Sequence, residues 1–130
     1  TGQDLLIKCT GTTNDPNEAA IAPIHCLGYI DGIIDAHGLL SSVSPEAKFF
    51  CPPAQGIAVG DAMDAVIYFI QKFSETRSAS GRVVVIKALQ TFYPNQKSDF
   101  HQLDNFGIVQ SLQLLDIYFL SFPLYQRKTF

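Results

Sequence analysis

The chain has 130 residues, 47% of them hydrophobic and 16% charged. That is enough apolar surface for one folded domain with its own core, and too much for a disordered segment. A net charge of −3 and a pI near 5.4 lack the basic balance of a nucleic-acid binder. No unbroken apolar run of membrane-spanning length occurs, since the nearest, Ile108 to Phe122, is interrupted by Gln110, Gln113 and Asp116. No membrane insertion is therefore expected. The first residues carry no signal-peptide pattern, which leaves the compartment undecided, because a mature exported chain also lacks one. The cysteines are three, Cys9, Cys26 and Cys51, an odd number that leaves at least one without an intramolecular partner. Composition leaves both three buried thiols and a single disulfide open.

Gln3 to Cys9, with Leu5-Leu6-Ile7, predicts a short first helix, and Thr10 to Pro16 is a loop by its turn-forming residues. Glu18 to Leu40 reads as a long second helix, with Pro23 in its first turn and Leu27, Ile30, Ile33 or Ile34, and His37 at spacings of three and four. Gly28 and Gly32 lie four apart inside it. Each costs about 1 kcal/mol relative to alanine, so they are expected to form a groove over which another helix packs. Gly28→Leu should then overpack that groove, at a cost of about 1–3 kcal/mol.

Ser41 to Phe50 is a connector, and Phe50-Cys51-Pro52-Pro53 cannot continue a helix. Gly56 and Gly60 bracket a turn before a third helix, with Asp61 in its first turn and Ala62, Val66, Phe69, Ile70 and Phe73 on one face. Ser74 to Gly81 breaks the pattern, Val84, Val85, Ala88, Leu89 and Phe92 resume it, and Pro94 closes it. Two helices so joined should fold back as an antiparallel hairpin over residues 58–93, bringing Cys51 near Asn95. The expected core is Leu27, Ile30, Ile34, Val66, Phe69, Ile70, Phe73, Val84, Val85, Leu89 and Phe92. Leu103 to Leu120 suggests a fifth helix, although Ile117 to Leu120 would equally suit a strand. The reading is all-α: a compact bundle of four to five helices, with residues 1–95 as a helical domain. Residues 96–130 are an apolar extension that packs on the same domain or on a second copy.

Catalytic equipment is hard to assemble from these residues. His25 and Cys26 are adjacent, so on a helix they point about 100° apart and make a poor nucleophile–base pair. Asp31 and Asp35 share a helix face with His37 nearby, yet a metal site needs three or four converging ligands, and a solvated acidic face explains them better. Asp61 and Asp64 suit a helix N-terminus. No phosphate loop, dinucleotide fingerprint or triad signature is present. No enzyme, cofactor or metal is expected.

Four fragments in order carry a family resemblance: Leu5-Leu6-Ile7-Lys8-Cys9, Cys26 to Gly32, Cys51-Pro52-Pro53 through Gly56-Ile57, and Ala88 to Pro94. Over roughly residues 3 to 95 the chain resembles the Rap1a/Tai family, small helical immunity proteins of the bacterial periplasm. The resemblance implies a partner delivered by type VI secretion, several such toxins being peptidoglycan amidases, and a homodimer. It also implies an oxidising compartment reached after removal of a signal peptide. Two positions depart from the family pattern: Asn95 stands where a cysteine is usual, and Ala58 where Ser or Thr usually caps the third helix. The tail beyond Asn95 is longer than the family usually carries.

With the resemblance in hand, Cys9 and Cys26 are expected to form a disulfide worth roughly 3 kcal/mol, leaving Cys51 unpaired opposite Asn95. A plug for an enzyme cleft must project, stay polar and rest on a rigid base. The connector Ser74 to Gly81 meets these demands, with Glu75, Thr76, Arg77, Ser78 and Ser80 as expected toxin-binding residues. A plain solvated connector, with Ser78 or Ser80 as helix cap, is the competing reading. Two other functions compete with toxin inhibition: a periplasmic helical binding or chaperone-like module without a cognate toxin, and a hydrolase using Cys26 or Cys51.

Overall fold

A computed structural model describes residues 1–95, which form one unit of packed helices. The expected fifth helix and the packing of the 96–130 extension lie outside these residues. Four α-helices follow in order: α1 (Gly2–Thr10), α2 (Pro16–Val43), α3 (Val59–Lys72) and α4 (Gly81–Phe92). A short 3-10 turn follows α2 at Pro45–Ala47, and another, Ser74–Ser78, joins α3 to α4. The fold is all-α, as the periodicities predict.

Local chemistry sets the helix ends. The Thr1 hydroxyl accepts from the Asp4 amide, and the Asp4 side chain returns the bond to the Thr1 backbone, so two of the unpaired donors of α1 are satisfied. Gly11 ends α1 in the left-handed region at φ 65°, where a Cβ would be disfavoured. Asp15 caps α2 by accepting from the Asn17 amide at 2.9 Å, and Pro16 occupies the first helical position. Pro23 is thus not in the first turn of α2 but well inside it. Lacking an N–H, it cannot satisfy the Ala19 carbonyl. Gly11 packs against that carbonyl, where an added Cβ would lie 2.9 Å from the oxygen. The loop before α2 therefore fits closely over the proline. α2 stops at Ser44, held extended before Pro45.

The core is built from one row of each helix: Leu5 and Cys9 on α1; Cys26 and Ile30 on α2; Ala62, Val66, Phe69 and Ile70 on α3; Val84, Val85, Ala88 and Leu89 on α4. Phe50, in the connector after α2, is fully buried among them. Of the expected core, Leu27, Ile34, Phe73 and Phe92 are only half-buried. The buried row of α2 runs through Ala22, Cys26, Ile30 and His37, which turns Leu27 to its flank. Phe92 meets Tyr68 edge-on, with ring centroids 5.9 Å apart. The Cys9–Cys26 disulfide ties α1 to α2 with 5.0 Å between the Cα atoms. Near the start of α3, Phe50 pairs with Pro94 as an antiparallel bridge, and the Cys51 amide donates to the Tyr93 carbonyl at 2.9 Å.

The expected helix groove takes a different form. Nothing lies within 4 Å of a Cβ placed on Gly28, Gly32 or Gly38, so no described element covers them. α2 turns that side outward because its opposite side already meets α1, α3 and α4. Within the described residues Gly28→Leu finds nothing to clash with, contrary to the overpacking expected from sequence. By length and composition α2 is also apolar enough to cross a membrane, with mean hydropathy 1.2 over an 18-residue window. Counting unbroken runs misses it because Glu18, His25, Asp31 and Asp35 interrupt it.

Two glycine substitutions should move stability in opposite directions. Gly38→Ala, in open space within α2, should stabilise by about 0.5–1 kcal/mol by lowering the cost of ordering the backbone. Gly2→Ala would place a Cβ 2.2 Å from the Thr76 carbonyl oxygen and should destabilise by about 1–3 kcal/mol. Urea midpoints at constant m-value check both.

Candidate functional site

The connector between α3 and α4 is more structured than a solvated loop. Its 3-10 turn is closed by Thr76 N donating to Phe73 O at 2.9 Å and Ala79 N donating to Thr76 O at 3.1 Å. Side chains reinforce the turn: the Thr76 hydroxyl donates to Phe73 O at 2.6 Å and the Ser78 hydroxyl to Glu75 O at 3.2 Å. The N-terminus of α1 lies against it, with Gly2 N donating to Ala79 O at 2.8 Å. Only glycine permits this approach, because a side chain there would strike the Thr76 carbonyl.

Of the five residues expected to contact a toxin, Glu75, Arg77, Ser78 and Ser80 are exposed, whereas Thr76 is half-buried with its hydroxyl committed within the turn. Ala79 packs against the core. Ser80 occupies the N-cap position of α4 but makes no side-chain cap bond, so its hydroxyl is not consumed in holding the helix. The surface offered is thus one acid, one base, the Ser80 hydroxyl and a Ser78 hydroxyl that donates within the turn but whose oxygen can still accept, on a backbone fixed from beneath.

Among the described residues the competing chemistries do not come together. Cys26 is 1% exposed and bonded to Cys9, which removes it as a nucleophile. Cys51 is half-buried, and its thiol donates to Asn95 Oδ1 at 3.6 Å, while the Asn95 amide donates to Lys48 O at 2.8 Å. Asn95 thus occupies the place opposite Cys51. His37 leaves the acidic face altogether: Asp31 and Asp35 are exposed, and His37 is buried. Among the described residues no group of three or more His, Cys, Asp or Glu could hold a metal ion.

His37 has a structural part that its motif did not suggest. Its ring stacks on Phe50, with centroids 3.7 Å apart and planes 16° from parallel. Nε2 accepts from the Phe49 amide at 3.0 Å and the Phe50 amide at 3.4 Å, so the ring is neutral with its proton on Nδ1. The Ser41 hydroxyl donates to the His37 carbonyl at 2.6 Å. Burial, and then the nearby Lys48 charge, hold the His37 pKa below its ordinary value of 6.5. The signal was present in the sequence, since His37 continues the apolar row of α2, but an acceptor for backbone amides twelve residues on cannot be read from spacing.

Comparison with known proteins decides the family. A family model described as Rap1a immunity proteins matches residues 1–95. The chain belongs to the Rap1a immunity proteins. The match ends at Asn95, the last residue of the packed unit. No curated protein and no solved structure matches the chain. Membership in the Rap1a family makes immunity to an effector toxin the function.

A pH dependence follows from His37. Because its pKa is lowered on folding, the unfolded chain binds the proton more readily, and stability must rise with pH across that interval. The contribution is complete above about 6.5 and is lost as pH falls through the lowered folded value. Urea midpoints measured from pH 7.5 downward should therefore decline below about 6.5. His37→Gln should be less stable at neutral pH and lack that part of the decline.

Proposed function

We propose that this immunity protein acts in the periplasm as a homodimer and occludes the active site of a type VI secreted toxin with peptidoglycan amidase activity, itself performing no catalysis. The observation that carries this reading is the connector Ser74–Ser80. Glu75, Arg77, Ser78 and Ser80 are exposed on it, while its backbone is fixed by the Gly2 amide below and by α3 and α4 at either end. A segment already ordered in its binding shape loses little conformational entropy on entering a cleft. In this reading Glu75 and Arg77 pair with charges at the cleft rim, and Ser78 and Ser80 hydrogen-bond within it. The Cys9–Cys26 disulfide supports the compartment, since such bonds persist in the periplasm and are rare in the cytosol.

Alanine at both Glu75 and Arg77 tests the plug. Both side chains are exposed, so thermal stability should change little. Inhibition of the cognate amidase should weaken by roughly tenfold or more if the pair contributes as charge-assisted contacts do. A folded double variant that protects as well as the parent excludes this connector as the plug.

A further inference from the structure

A surface helix ordinarily turns polar residues away from the core. α2 does otherwise: Ile21 is 49%, Ile24 64%, Leu39 68% and Val43 79% exposed. Between them lie Gly28 and Gly32 with open space above both. Two interior glycines weaken the helix unless something approaches closely. Positions 21, 25, 28, 32, 35 and 39 are separated by four, three, four, three and four residues, the spacing of a seam between two packed helices.

The same positions are symmetric about Ile30, whose own side chain is buried in the core behind. Gly28 and Gly32 lie two residues to either side, His25 and Asp35 five, and Ile21 and Leu39 nine. We propose that this face of α2 is the interface of a two-fold homodimer, the helices of the two copies packed antiparallel at the level of Ile30. It rests on the homodimeric reading above and assigns that dimer its surface. Gly28 then meets the partner's Gly32, letting the backbones approach closely at the centre. His25 meets the partner's Asp35, and Ile21 meets the partner's Leu39. Two-fold symmetry repeats each pairing on the other side of the axis. A parallel arrangement would set Asp35 against the partner's Asp35 at a single level, a like-charge contact, and is disfavoured. The placing of these positions evenly about Ile30 argues for a second copy, and avoidance of the Asp35 contact sets its direction.

The test is sedimentation velocity of the full chain carrying Cys51→Ser, so that no intermolecular disulfide contributes. The parent should be a dimer. Gly28→Leu, which meets nothing within the described residues, should keep its helical circular dichroism and dissociate at roughly tenfold or more higher concentration. His25→Asp should weaken the dimer similarly, by placing acids opposite acids. The exchange His25→Asp with Asp35→His should restore it. A parent that is monomeric at every concentration, whether residues 96–130 or a lipid surface covers α2 instead, overturns both this interface and the homodimer. A dimer indifferent to Gly28→Leu and His25→Asp overturns this surface while leaving the homodimer standing. Failure of the exchange to restore association overturns the antiparallel register.

Discussion

The Cys9–Cys26 disulfide is the constraint from which the rest of the described structure is laid out. α1 is a nine-residue helix, too short to be stable alone in water, and its fixed position comes from attachment to the long α2. Once it is placed there, Leu5 reaches the core and Gly2 reaches the connector at the far end of the α3–α4 hairpin. The bond thus acts on the candidate site without lying in it. The crosslink sets where α1 begins, and the beginning of α1 sets the floor under the polar surface.

A second set of contacts, none of them covalent, fastens the ends of the hairpin to α2. Phe50 is the pivot: stacked on His37, fully buried, and paired through its backbone with Pro94. Asn95 adds bonds to Cys51 and Lys48. These contacts return the chain after α4 to the segment that precedes α3, so residues 48–51 and 93–95 close the hairpin together.

How much of this was legible follows from the range of each interaction. Helix existence came from apolar spacing, which is local. The break at Cys51-Pro52-Pro53 and the polar run at Ser74 to Gly81 came from residues that cannot continue a helix. The place of Pro23 was misjudged because Asp15 and Pro16 begin α2 earlier than its apolar row does. Gly28 and Gly32 were read as a groove beneath another helix, yet no described element covers them, because spacing along α2 does not say which of its sides the neighbouring helices occupy. The His37 bonds, the burial of Phe50 and the contact of Gly2 with Thr76 join residues twelve or more positions apart, and no periodicity encodes them. The polar composition of the connector showed in the sequence. That one side of it is welded to α1, leaving Thr76 out of the exposed set, did not.

Asn95 in the place opposite Cys51 leaves the two ends of the hairpin under different chemical control. The connector end depends, through α1, on a sulfur–sulfur bond and so on the electron poise of its surroundings. The closing end depends on a neutral imidazole and an amide, and so answers to protons while ignoring reductants. A domain stapled covalently at both ends would loosen as a whole or not at all. Here reduction bears on the α1 end and acid on the closing end, so two unrelated conditions act on different parts of one fold.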